Sequence, residues 1–355
     1  MTLHGFSTQA DAARLDSPVE SALEDPFDVM FVGWSFVRSK LVTVALDLGV
    51  FATLGEKSLS AEELRERLDL HPRATRDFLD ALAALGLLRR TGDRYRNSPA
   101  AARYLIPGGD AFVGGFLRMT IDLIGADQKA LIGLLRGGTA GGQGEGGEVP
   151  FTRIFHDRAR LRLFLSAMDG FSGAVATELV RVFDWTRYAT FSDLGGARGN
   201  LAAHLAAAHP HLTGTVLDRP AMEPYFDELV TGRGVRGRVR FLGGDFFTDD
   251  LPAADVVIIG SVLHDWPVER RRELLRRTYA AVNDGGAVIV YDTMLDDARA
   301  GTDNLVLSII MMMQSAQATG FTPSECRSWL ADVGFTVTGC CPLPAATTAL
   351  IGRKL

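Results

Sequence analysis

Residues 190–218 read TFSDLGGARGNLAAHLAAAHPHLTGTVLD, and this stretch decides the fold. An apolar run of strand length meets a glycine-rich turn, Asp193-Leu-Gly-Gly-Ala-Arg-Gly-Asn200. An alanine- and leucine-rich segment of helical spacing follows, and a second apolar run ends at Asp218. Continuous apolar strands that alternate with helices describe a mostly parallel sheet covered on both faces. The alternation continues through a helix around Met222–Val230, RVRFLGGD, ADVVIIGSV, ERRRELLRRTYAAV and GGAVIVYDTML. It closes with a helix from Asn304, PSECRSWLADVG and one terminal strand. Such sheets bind ligands beyond the carboxyl ends of their strands, so the polar residues at those ends are the candidates for function.

The first of these ends is the turn itself. Gly195, Gly196 and Gly199 allow a tight strand-to-helix reversal and close approach of a ligand to the backbone. A dinucleotide fingerprint would need glycine at 195, 197 and 200, where the chain has Ala197 and Asn200. The next strand ends in Asp218, suited to accept hydrogen bonds from ribose hydroxyls. The third ends in Asp245-Phe246, a carboxylate beside an aromatic, which suits the amino group and the face of an adenine. A plain turn or a helix-capping Asp explains each one alone. All three at successive strand ends favour a nucleoside cofactor.

The fourth strand releases Leu263-His264-Asp265-Trp266-Pro267, and the fifth ends in Tyr291-Asp292-Thr293. His264 is the best proton acceptor in the chain, with an ordinary pKa near 6.5. Removing a phenolic or enolic proton at neutral pH needs such a base, worth typically ~10²–10⁴-fold in rate. Asp292 is placed to hold the imidazole in one tautomer and to stabilise its charged form. Helix capping is the competing reading of both residues. Met311-Met312-Met313 on a late helix suits either core or an adaptable pocket wall.

Upstream, residues 1–25 form a loose tail and residues 26–182 a mostly helical unit. FDVMFVGWSFVRSKLVTVALDLGVFATL is apolar on nearly every face, as in helices buried between subunits. Ser60-Ala-Glu-Glu63 is a capping box, and AEELRERL, RATRDFLDALAALGLL and the hairpin RRTGDRYRNS follow in the order of a winged helix. The glycine-rich segment at 137–147 is too simple in composition to build a core and reads as a mobile loop. Residues 183–355 form the sheet-containing unit.

Composition narrows the partners. With 355 residues two domains are expected, and a net charge of -6 gives no electrostatic help toward nucleic acid or anionic membrane. Cys326, Cys340 and Cys341 show no metal-binding or disulfide spacing. No stretch has the length of a membrane span, and the N-terminus lacks a signal-peptide core. A cytoplasmic protein without a metal, acting on a small molecule, is the expectation.

Taken together, these residues resemble the O-methyltransferases of the plant-caffeate and acetylserotonin type, bacterial natural-product branch, from about Phe27 to the C-terminus. The resemblance implies a Rossmann-like domain that binds S-adenosylmethionine (SAM) and releases S-adenosylhomocysteine. It also implies an N-terminal winged-helix domain that interlocks into a homodimer. Carried over by position, Ser172, Gly195, Asp218, Asp245 and Phe246 lie along the cofactor, and His264 and Asp292 form the catalytic pair. Met119, Met168, Asp265 and Met312 are the candidates on the substrate side, the substrate being a small aromatic or enolic secondary metabolite. Three positions depart from the family. Ala197 replaces a glycine, Gly260 stands where plant members carry lysine, and Gly320 falls where a second acid supports the base. C-methylation, a non-methylating reaction with bound SAM, and a winged-helix DNA-binding regulator are the alternatives.

Overall fold

The computed structural model describes residues 26–109, 112–115, 117–118, 121, 128–138, 158–315 and 317–355. The tail at 1–25, Met119 and most of the glycine-rich segment lie outside them.

The N-terminal elements are α1 (Pro26–Gly33), α2 (Ser35–Asp47), α3 (Val50–Leu54), β1 (Leu59–Ser60), α4 (Ala61–Arg67), α5 (Pro72–Ala84), β2 (Leu88–Thr91), β3 (Arg94–Asn97) and α6 (Pro99–Tyr104). The expected capping box is present: Ser60 Oγ accepts from the Glu63 N–H, and the Glu63 carboxylate accepts from the Ser60 N–H. The hairpin turns at Gly92-Asp93, and the three strands pair in the order β1-β3-β2. Helix, helix and wing close on Phe51, Leu54, Leu64, Leu79, Leu82 and Tyr95, all fully buried. Ala45 and Leu46 at the end of α2 join this core, whereas apolar residues of α1 and of the start of α2 stay exposed among the described residues. Val29 is 59% exposed, Trp34 46% and Phe36 64%.

After α7 (Gln128–Gly137), the long helix α8 (Arg158–Val182) leads into the second unit. Its C-terminal half packs Val175, Ala176 and Leu179 into the core beneath the sheet. The sheet comprises β4 (Thr190–Leu194), β5 (Thr213–Asp218), β6 (Val239–Gly243), β7 (Ala254–Gly260), β8 (Val282–Asp292), β9 (Thr336–Leu343) and β10 (Thr347–Arg353). The helices are α9 (Asn200–Ala208), α10 (Glu223–Gly232), α11 (Val268–Ala281), α12 (Thr302–Gln314) and α13 (Pro323–Asp332). Strand order is β6-β5-β4-β7-β8-β10-β9, parallel from β6 to β8. Chain order reverses direction at β4, which makes the crevice above its carboxyl end the expected ligand site.

Ile258 and Ile259 show how the sheet is held. They are consecutive on β7, point to opposite faces and are fully buried, one in each of the two cores. Truncating either to alanine would cost about 2–5 kcal/mol.

The C-terminus differs from the sequence expectation. Instead of one terminal strand there are two, β9 and β10, paired antiparallel. Their turn places Ala345 and Ala346 at φ +61° and +54°. Glycine or asparagine normally takes such positions, so no turn residue marks the reversal.

Candidate active site

β7 ends at Gly260, and Ser261 follows with φ +53°. A left-handed conformation costs a non-glycine residue roughly 1 kcal/mol or more and persists where its surroundings enforce it. Here the Ser261 N–H donates to the Tyr291 carbonyl of β8 at 2.9 Å. This kink swings the single helical turn Leu263–Asp265 back over the end of β8.

His264 is thereby seated on Asp292. The imidazole Nδ1 lies 2.7 Å from Asp292 Oδ1, and the His264 N–H donates to Asp292 Oδ2 at 3.3 Å. A carboxylate only accepts, so Nδ1 carries the hydrogen and Nε2 is left as the proton-accepting nitrogen. Asp292 is 1% exposed and also accepts the Thr293 N–H at 2.9 Å. Nε2 lies 3.4 Å from Asp265 Oδ1. Burial disfavours the charged ring, but the Asp292 and Asp265 carboxylates outweigh it and push the imidazole up to about 9.

On the other side of the switch point the strand ends converge on the glycine turn. Gly195 and Gly199 adopt φ +74° and +76°. A Cβ at Gly195 would lie 2.6 Å from Val262 and 3.8 Å from the Phe246 ring, so the turn and the aromatic are in contact range. Asp218 spans two segments: it accepts the Ala197 N–H at 2.7 Å and the Arg219 N–H at 2.7 Å. Burial raises its carboxyl. Asp245 Oδ1 accepts the Phe247 N–H at 2.8 Å, which turns the chain so that Phe246 points back toward Gly195.

Some residues of this site escaped the sequence reading. Asp193 is 2% exposed, and its Oδ2 has no hydrogen-bond partner among the described residues. Burial, then the nearby Asp218 charge, push it up to about 7. Asn200 opens α9 and donates through Nδ2 to Ser172 Oγ and to the Asp169 carbonyl, both at 3.0 Å. Arg198 pairs with Asp169. These bonds fasten α8, with Met168 and Ser172 one turn apart on it, to the glycine turn. The signal available was the position of Asn200 directly after Gly199. Met312 is half-buried on α12, and Met119 lies outside the described residues.

The departures have physical counterparts. A Cβ at Gly260 would lie 2.0–2.3 Å from Cζ, the hydroxyl and Cε1 of Tyr291, so the tyrosine fills the space that a side chain at 260 would need. A Cβ at Gly320 would lie 2.7 Å from Ser308 Oγ and 2.9 Å from Leu295. The Gly320 N–H donates to that same Oγ at 3.1 Å. Among the described residues no group of three or more His, Cys, Asp or Glu could hold a metal ion, and no helix is long and apolar enough to cross a membrane.

Comparison with known proteins gives one answer from three directions. Residues 140–336 match an O-methyltransferase domain and residues 33–107 an O-methyltransferase dimerisation domain. The tetracenomycin polyketide synthesis 8-O-methyl transferase TcmO of Streptomyces glaucescens is 44% identical over 93% of this chain and 97% of that one. The N,N-dimethyltransferase OxyT of Streptomyces rimosus is 41% identical over 85% of this chain and 88% of that one. Human N-acetylserotonin methyltransferase, solved in complex with SAM, is 25% identical and covers 99% of both chains with a TM-score of 0.76.

Proposed function

The chain belongs to the O-methyltransferase family, and from that premise we propose that it methylates a hydroxyl of a small aromatic or enolic secondary metabolite, of polyketide type, with SAM as donor and His264 as general base. The observation that carries this reading is the His264–Asp292 pair at 2.7 Å, standing beside a turn built to receive a nucleoside.

The residues present suit the donor. Gly195 and its turn take the close backbone approach, Asp218 the ribose hydroxyls, and Asp245 and Phe246 the adenine. The partnerless Asp193 Oδ2 suits an ammonium group, and Ser172, tied to Asn200, flanks the same turn. When bound, SAM supplies an electrophilic methyl group on a positively charged sulfonium. His264 takes the hydroxyl proton on Nε2 while Asp292 holds Nδ1–H. A ring raised to about 9 is well matched to a phenol near pKa 10, so proton transfer between them is close to balanced. The same shift keeps the ring mainly protonated near pH 7 in the ligand-free chain. His264 gives up its proton more readily when a cation lies beside it. Met168, Asp265 and Met312 line the acceptor side in this reading.

Residues 26–182 then form the dimerisation and substrate-lid unit and residues 183–355 the donor-binding unit. The exposed Val29, Trp34 and Phe36 lie next to or within the matched dimerisation domain and are covered by a second copy of the chain. A cytoplasmic setting agrees with the free thiols of Cys326, Cys340 and Cys341.

Transfer of labelled methyl from SAM to a panel of hydroxylated polycyclic aromatics, enols and amines tests the reading. Label on an aromatic or enolic oxygen is expected, and label found only on carbon or nitrogen overturns it. Transfer to an amine is the second reading, because OxyT is an N,N-dimethyltransferase. An amine also arrives protonated and needs the same base.

A further inference from the structure

Arg271 lies on α11 in a run of arginines, yet it is 1% exposed while its neighbours Arg270 and Arg272 keep side-chain exposures of 40% and 49%. Its Nε donates to the Leu263 carbonyl at 2.7 Å. Its Nη2 donates to the Thr319 carbonyl at 2.5 Å and to Thr319 Oγ1 at 2.7 Å. The guanidinium sits 4.8 Å from the Phe321 ring centroid and 5.3 Å from that of Trp329. Thr319 closes the circuit, its N–H donating to the His264 carbonyl at 2.9 Å. One buried fork thus joins the residue before the imidazole to the residue before Gly320.

We infer that Arg271 is a positioning residue that locks the His264 turn to the 319–321 segment through the backbone, and so does the work that a second acid at Gly320 would otherwise do through the imidazole ring. The assignment rests on His264 being the base. A planar fork with several donors suits this task, because it bonds two carbonyls and stacks on aromatic rings at once. The electrostatic consequence is opposite to that of an acid: a cation near the imidazole disfavours its protonated form. The charged groups around the ring are Asp292 from β8, Asp265 beside it and Arg271 from α11. Arg219 acts on Asp265, and Glu325 and Cys326 of α13 face Arg271.

The test uses the ligand-free full chain, so it needs no acceptor. In Arg271→Met the His264 Cε1–H resonance should titrate at a pH higher by about half a unit or more than in wild type. The Thr319 amide should exchange with solvent about tenfold faster while the Val257 amide in β7 is unchanged. Arg271→Lys, which keeps the charge without the fork, should restore the titration but leave Thr319 exchange fast. An unchanged His264 titration with slow Thr319 exchange in Arg271→Met overturns the inference. If that variant does not fold, slow Thr319 exchange in Arg271→Lys does so. Turnover of His264→Ala separates the two claims: full activity there would remove the base yet leave the Arg271 lock standing on its own measurements.

Discussion

On the β4–β6 side of the switch point the carboxyl edge holds a buried carboxylate, Asp193, whose Oδ2 has no partner among the described residues, whereas on the β7–β8 side His264 and Asp292 satisfy each other. Asp193 is buried and His264 half-buried, and loss of solvent opposes the charged form of each. At Asp193 nothing offsets it and the neighbouring Asp218 adds to it, so the carboxyl rises to about 7. At His264 two carboxylates outweigh it and the imidazole rises to about 9. In the proposed function the first half is the socket for a ligand that brings hydrogens and positive charge. The second is a finished device that needs only a proton to move. Changes in one half should therefore alter affinity, and changes in the other should alter rate.

The sharpest break between the halves is expected from His264→Ala. Turnover should fall at least about a hundredfold, with SAM affinity by calorimetry nearly unchanged; unaltered turnover would end its role as base. Asp292→Asn comes next, lowering turnover by roughly tenfold to a hundredfold through loss of the tautomer lock. In wild type, kcat/KM should climb with pH toward about 9, since the ring must be neutral to accept a proton. In Asp292→Asn that break should move to lower pH, because the charge that raised the imidazole is gone. A break that stays in place would detach the pair from catalysis.

From the socket half, Asp218→Ala should weaken SAM binding by about tenfold or more, and an unchanged calorimetric Kd would undo the ribose assignment. The last effect is on stability. The folded Asp193 carboxyl is raised above its unfolded value, so its protonated form contributes stability at low pH that is lost as pH rises through about 7. Ligand-free Asp193→Asn should thus melt above wild type by a margin that grows between pH 4 and pH 8. A margin independent of pH would contradict the buried carboxyl.

Much of this was legible in the chain. The sheet was readable because its strands are uninterrupted runs such as VVII at 256–259, which only a doubly covered parallel sheet can hide. That His264 and Asp292 stand together follows from β7 and β8 pairing side by side as parallel strands, which makes their carboxyl ends neighbours. Arg271 was not legible. In ERRRELLRR it looks like one more residue of a solvated face, and only the packing of Phe321 and Trp329 reveals that it turns inward. Asp193 was hidden for a different reason. It sits one residue inside the strand, where a buried acid without a partner is costly and is not expected from pattern alone. The β9–β10 turn escaped because two alanines take conformations that sequence rules reserve for glycine and asparagine.

The tyrosine lying over Gly260 has a consequence for substitution. In this chain a side chain at 260 and the ring at 291 compete for one space, so one must shift to admit the other. Gly260→Lys by itself should be crippled, while the same change made together with Tyr291→Ala should recover. Positions 260 and 291 are thus coupled in this chain, so the effect of either change depends on the other.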